Sequence, residues 1–176
     1  MVRNRKIVPN PYPSVKWKEV EFQYLEDQNL LLQRNASRVS HRALAVVCKN
    51  YEIHYTLDNG KYEGSIIVPA TFITDGISIP KWATKLTGIK RWGKGIEAAV
   101  VHDYLYVAWQ YMGKKRGPKR KDKKFADELF RAGLLAAGVS KNKTCLMYLA
   151  SDSDTGWAIY KGKNHPEDTW YNGPLC

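Results

Sequence analysis

The feature that most constrains this chain is a change of hydrophobic period along it. Between Lys18 and Val68 apolar residues tend to alternate with polar ones, the period of a strand that buries one face. From Ile96 onward they recur at 96, 99, 100, 107 and 108, the spacing of a helix. Strands followed by helices, in 176 residues with 44% hydrophobic content, imply an α+β fold around one core. The expected architecture is an antiparallel hairpin or small sheet followed by a three-helix core. Strands are expected over 20–75 and helices over 96–160, within a single domain spanning 17–162.

The local signals are uneven in strength. Tyr51–Leu57 alternates, Asp58-Asn59-Gly60 reverses the chain, and Lys61–Val68 continues the alternation. Asn-Gly between two such runs is a strong hairpin signal. Ala43–Cys48 is a short apolar run, and Gln23–Gln33 fits a further strand or a short helix, the strand being the preferred reading. His54 reads as an exposed strand residue. Pro80 starts a short helical piece over Lys81–Leu86. A later helix is expected from Asp122 or Lys123 to Ala137, stopped by Gly138. A third is expected from Ser140 to Tyr160, with the polar stretch Ser151–Gly156 as a break point. Residues 1–16 carry Pro9, Pro11 and Pro13 and are expected to form an extended basic arm. Residues 163–176 are expected to be an irregular tail.

No apolar run reaches the ~20 residues of a membrane helix. The N-terminal stretch is basic without an apolar core and does not read as a signal peptide. Three cysteines, at 48, 145 and 176, have no metal-type spacing and predict no disulfide framework, which fits a reducing compartment. The net charge of +11 favours a polyanionic partner, but eight of the 28 basic residues lie between Lys114 and Lys124. That stretch, with Lys114, Lys115, Arg116, Lys119, Arg120 and Lys121, reads as a basic loop. It would meet phosphates or lipid headgroups by general attraction, or be a solvated connection. Nothing resembles a base-reading motif, so no sequence-specific nucleic-acid binding is expected.

The chemistry concentrates at His102 and Asp103, an ionisable pair in the apolar run Ala98–Tyr106. Adjacent helical residues point about 100° apart, so the two serve different faces. One suits proton transfer and the other a cation. A helix after the basic loop would bring Asp127 to His102, where a carboxylate fixes the imidazole tautomer. Asp75-Gly76, in the loop Phe72–Pro80, fits a turn that offers carboxylate and carbonyl oxygens to a hard metal. Taken alone, Asp-Gly reads first as an ordinary turn in which Asp75 bonds its own backbone.

Three stretches carry a family resemblance. They are Val68–Pro80, Ala98-Ala-Val-Val-His-Asp-Tyr-Leu-Tyr106, and Ala126-Asp-Glu-Leu-Phe130 with Gly156-Trp157 beyond. Together, over about residues 50–162, they resemble a bacteriophage and prophage family known as domain of unknown function 1353. The resemblance implies a phage protein made in the host bacterial cytoplasm and assembled with other virion proteins. The order of His-Asp-x-x-Tyr, a preceding loop Asp and a following helix Asp is also similar to the secreted phospholipases of the A2 class. That similarity implies a phospholipase A2-like helix core and a calcium-dependent esterase acting on the host envelope. By it, His102 would activate water, Asp127 would orient His102, and Tyr106 would brace the helix pair as part of the catalytic set. Asp75, the Gly76 carbonyl and Asp103 would hold calcium. The cysteines that surround the pair in the secreted enzymes are absent, Val101 and Leu105 standing there instead. The alternative is a non-catalytic tail, neck or capsid-associated protein built on the same frame.

Overall fold

The computed structural model describes residues 6–24, 30–34, 44–78, 88–113 and 116–175. The fold is α+β. Two three-stranded antiparallel sheets precede the helices. The first has strand order β1-β4-β5, with β1 Val20–Tyr24, β4 Tyr51–Leu57 and β5 Tyr62–Val68. The second has order β2-β3-β6, with β2 Leu32–Arg34, β3 Ala45–Val47 and β6 Ile73–Thr74. The single small sheet expected from the pattern is thus two.

The hairpin signal is borne out. Leu57 faces Tyr62, and Tyr51 faces Val68. Between them Asp58, Asn59 and Gly60 all take left-handed backbone, at φ 54°, 57° and 80°. Asp, Asn and Gly tolerate that region best, which is why this tripeptide turns here. His54 is partly exposed on β4, with Glu52 Oε1 3.7 Å from its Nε2.

Helix α1 spans Ile96–Ala108 and runs into a 3-10 turn at Trp109–Tyr111. Helix α2 spans Arg120–Ala136, beginning two to three residues before the expected start. The basic stretch is therefore partly helix. Lys119 caps α2, and Arg120 and Lys121 lie in its first turn. Gly138, at φ 77°, ends α2 in a Schellman motif. Its N–H donates to the Leu135 carbonyl at 3.0 Å, and the Val139 N–H to the Leu134 carbonyl at 2.9 Å. The expected third helix is two, α3 Lys141–Ser151 and α4 Asp154–Lys161. The break falls at Asp152–Ser153, where the Ser153 hydroxyl accepts from the Gly156 N–H at 3.1 Å and caps α4. A four-residue helix, α5 Pro166–Thr169, follows. The helical piece expected over 81–86 lies outside the described residues, as do His41, Lys114 and Lys115.

Helix α1 is apolar nearly all round and is the central element, with nine of its residues buried. Helix α2 packs on α1, β1 and α3. A Cβ at Gly133 would meet Ala98, while further along Asp127 meets His102, so the two helices run antiparallel. Phe125 fills the space between α2 and the first sheet, edge-on to Trp17 and Tyr55 at centroid distances of 5.9 and 5.1 Å. Each such pair adds roughly 0.5–1.5 kcal/mol beyond area burial.

Both flanking segments pack on this core. Residues 6–16 have no helix or strand, yet Val8 and Tyr12 are buried, and the Tyr12 hydroxyl donates to the Leu105 carbonyl. Trp170, near the other end, is buried edge-on to Phe72 and Tyr111. Lys6 lies 4.3 Å over the Trp170 ring and donates to the Ala70 carbonyl at 3.0 Å. Cys48 is disulfide-bonded, and Cys145 is free and exposed. Spacing along the chain does not reveal which distant cysteines a fold brings within bonding geometry. Among the described residues no helix is long and apolar enough to cross a membrane.

Candidate functional site

His102 and Asp127 meet across the α1–α2 interface. His102 Nε2 lies 2.9 Å from Asp127 Oδ1. The same oxygen accepts the Tyr106 hydroxyl at 2.7 Å. Tyr106 is one turn on from His102, so both reach the same point on α2. The His102 ring is sandwiched, with centroids 4.1 Å from Tyr106 and 4.6 Å from Phe130. Its side chain is 12% exposed and that of Asp127 is 0% exposed.

A carboxylate so buried needs compensation, and the sequence reading missed one of its sources beside His102. Lys123 Nζ donates to Asp127 Oδ2 at 2.5 Å and to the Ser151 carbonyl at 2.7 Å. The sequence places Lys123 at the end of the basic stretch and the expected start of the helix, with no partner assigned. The available signal was its position four residues before Asp127, the spacing of a helical ion pair. Burial pushes the Asp127 carboxyl up, but hydrogen bonds and charge from His102 and Lys123 outweigh it and hold the pKa below the usual value. An ionised Asp127 can only accept, so neutral His102 must carry its proton on Nε2, leaving Nδ1 as a basic lone pair.

Asp103 turns the other way. Its Oδ2 accepts the hydroxyl of buried Thr74 at 2.6 Å, and Thr74 Oγ1 in turn accepts the Gly76 N–H at 3.0 Å. Thr74 was a second residue missed. Asp75 accepts from the Ser78 hydroxyl, and Gly76 takes φ 75°, where a side chain would press on the Arg91 carbonyl and Trp92. Burial first, and then the charge of Asp75, push the Asp103 carboxyl well above the usual range, with the Thr74 bond opposing.

Asp75 and Asp103 line a cleft of about 540 Å³. Tyr106, Gln110 and the segment 163–169 form other parts of its wall, while His102 is not in the lining. Among the described residues no three His, Cys, Asp or Glu side chains cluster as a metal site. The two carboxylates fall short of the roughly six to eight oxygens calcium takes. Each keeps one oxygen outside the bonds just described, so backbone carbonyls or water would complete a shell.

The expected basic contact set is partly committed elsewhere. Arg116 pairs with buried Asp122 and lies 5.5 Å from the Tyr12 ring. Arg120 stacks at 4.5 Å over Trp157. Lys119 and Lys121 are exposed.

Fold and site define an α+β protein with a buried His–Asp–Lys cluster beside an acidic cleft. The chain matches, over residues 50–151, the family described as protein of unknown function (DUF1353), and it belongs to that family. The match covers α1, α2, α3, Asp75 and Asp103, while Asp168, which also lines the cleft, lies beyond it. No curated protein and no solved structure matches the chain.

Proposed function

We propose that this is a bacteriophage protein with a hydrolase site similar to that of the A2 phospholipases, acting on an ester of the host envelope. The observation that carries the reading is the His102 Nε2 to Asp127 Oδ1 contact of 2.9 Å, on a helix whose next residue, Asp103, faces an acidic cleft. His102 takes a proton from water through Nδ1. Asp127 fixes the imidazole, and Tyr106 holds Asp127 in place. Asp75, the Gly76 carbonyl and Asp103 would hold calcium, which when bound would supply a Lewis acid for the ester carbonyl and its oxyanion. Burial, and after it the charge of Asp75, raise the Asp103 pKa, and the second cause supports this, since a cation relieves like charges. Lys119 and Lys121 give the protein attraction to an anionic membrane surface. On this reading it is made in the host cytoplasm and joins other virion proteins.

A second reading has its own support. His102 is packed between two rings and does not line the cleft. That placement favours a non-catalytic virion component in which the cluster pins two helices together.

Purified protein assayed with calcium on short-chain esters and phospholipid vesicles separates the two. The hydrolase reading expects calcium-dependent turnover that falls by roughly 10²–10⁴ in His102→Ala, with calcium affinity retained. A folded sample with no calcium affinity and no turnover leaves the structural reading.

A further inference from the structure

Lys123 has no part in the proposed reaction, yet its side chain is only 6% exposed and makes two short bonds. An exposed helix cation would need neither. We infer that Lys123 is a positioning residue: by occupying Asp127 Oδ2 and balancing its charge, it keeps Asp127 an acceptor and so fixes the His102 tautomer with Nδ1 unprotonated. The inference rests on the hydrolase reading only for its consequence on rate.

The geometry divides the carboxylate. Lys123 takes Oδ2, which leaves Oδ1 to His102 and Tyr106. Without Lys123, a fully buried Asp127 would lose one of the two partners that offset its burial, His102 being the other, and would shift toward its protonated form. A proton placed on Oδ1 would be donated where that oxygen now accepts. The imidazole would then offer Nε2 as acceptor and carry its proton on Nδ1, the wrong tautomer for a base acting through Nδ1. The charged and titratable groups facing Asp127 are His102 and Tyr106 from α1 and Lys123 from its own helix. Asp152, after α3, lies 4.0 Å from Lys123 Nζ, and Tyr148 of α3 also feels the Asp127 charge.

The second bond sets where Lys123 can reach. It fixes the ammonium to the last carbonyl of α3, so the corner between α3 and α4 becomes part of the site's support. Gly156 is what lets that corner close. A Cβ there would lie 1.8 Å from the Ser151 oxygen and 3.5 Å from Lys123 Nζ. This explains in contacts why Gly156-Trp157, 29 residues or more beyond Asp127 in the chain, belongs with the His–Asp pair.

The test is nitrogen-15 NMR of histidine-labelled full-length protein, with the His102 signals assigned by their loss in His102→Gln. At mildly alkaline pH the parent and Lys123→Arg, which keeps the charge, are expected to show the Nε2–H form. Lys123→Gln and Lys123→Met are expected to depart from it. If Lys123→Met does not fold, Lys123→Gln retains a donor for the Ser151 carbonyl and carries the comparison. Identical Nε2–H signatures in parent and Lys123→Gln would overturn the inference and leave Lys123 a packing residue. Where turnover is measurable, kcat is expected to drop roughly tenfold or more in Lys123→Gln, with KM within about twofold and rescue by Lys123→Arg. The NMR signature needs no turnover, so an inactive protein would sink the hydrolase reading and still decide this one.

Discussion

Asp127 and Asp103 are the same residue type on neighbouring helices, and their surroundings push them in opposite directions. Asp127 receives an ammonium, an imidazole and a phenol, and its pKa falls. Asp103 receives one hydroxyl and faces another carboxylate, and its pKa rises. The first carboxylate is satisfied by the chain itself. The second has one hydroxyl as its hydrogen-bond partner, in a cleft it shares with Asp75, Asp168, Lys163 and His165.

The largest test of that contrast is Asp127→Ala. It leaves Lys123 buried without its carboxylate, and breaking a buried pair costs roughly 3–5 kcal/mol, read by urea unfolding at neutral pH. Because the folded pKa of Asp127 is lowered, its contribution is present above the unfolded carboxylate value of about 3.9. It is lost as pH falls through the folded value. The gap between parent and variant should therefore narrow in acid. Replacing both partners by apolar residues, Lys123→Met with Asp127→Leu, should recover much of the loss. A deficit below about 1 kcal/mol for Asp127→Ala would break the contrast at its strong end.

Asp103→Asn tests the other end, with opposite sign. A carboxyl with a raised folded pKa contributes stability that is present below the unfolded pKa and lost as pH rises through the folded one. The parent thus carries a penalty at neutral pH that Asn does not. Without added cation, Asp103→Asn should melt above the parent at pH 7–8, and the difference should vanish in acid. Calcium at about a hundred times its Kd should stabilise the parent by roughly 2.7 kcal/mol and leave the variant unmoved. A variant less stable than the parent at pH 8 would show that Asp103 is already satisfied.

The sequence showed much of this and missed the compensation. Asp58-Asn59-Gly60 and Gly138 act through local backbone, so their turn and stop were legible from three or four residues. His102 and Asp127 were legible because helical spacing places them on facing stripes. The start of α2 was not, because charge repulsion in Lys119–Lys124 argues against a helix that tertiary pairing then stabilises. Arg116 ties to Asp122, Arg120 stacks on Trp157 and Lys123 is buried on Asp127. Thr74 was missed for a related reason. Its hydroxyl matters only because β6 delivers it to Asp103, 29 residues away. The burial of Val8, Tyr12 and Trp170 likewise depends on long-range contacts that proline content and tail position conceal.

The smallest expected effect comes from Tyr106→Phe, and it asks which donor compensates Asp127. The Tyr106 phenol shares Oδ1 with His102, whereas Lys123 alone holds Oδ2. Removing the hydroxyl leaves the carboxylate with both charged or chargeable partners, so the loss should be that of one hydrogen bond to an ion, roughly 1.5 kcal/mol. Burial, and then the Asp127 charge, hold the Tyr106 phenol well above its usual range. A raised phenol pKa keeps the donor protonated through the neutral and mildly alkaline range, so the deficit in unfolding free energy should be flat from about pH 6 to pH 9. It should shrink in acid, where the parent's Asp127 itself becomes protonated. A loss approaching that of Asp127→Ala would mean that the phenol, and not the ammonium of Lys123, keeps Asp127 ionised. The asymmetry between the two aspartates would then rest on α1 alone.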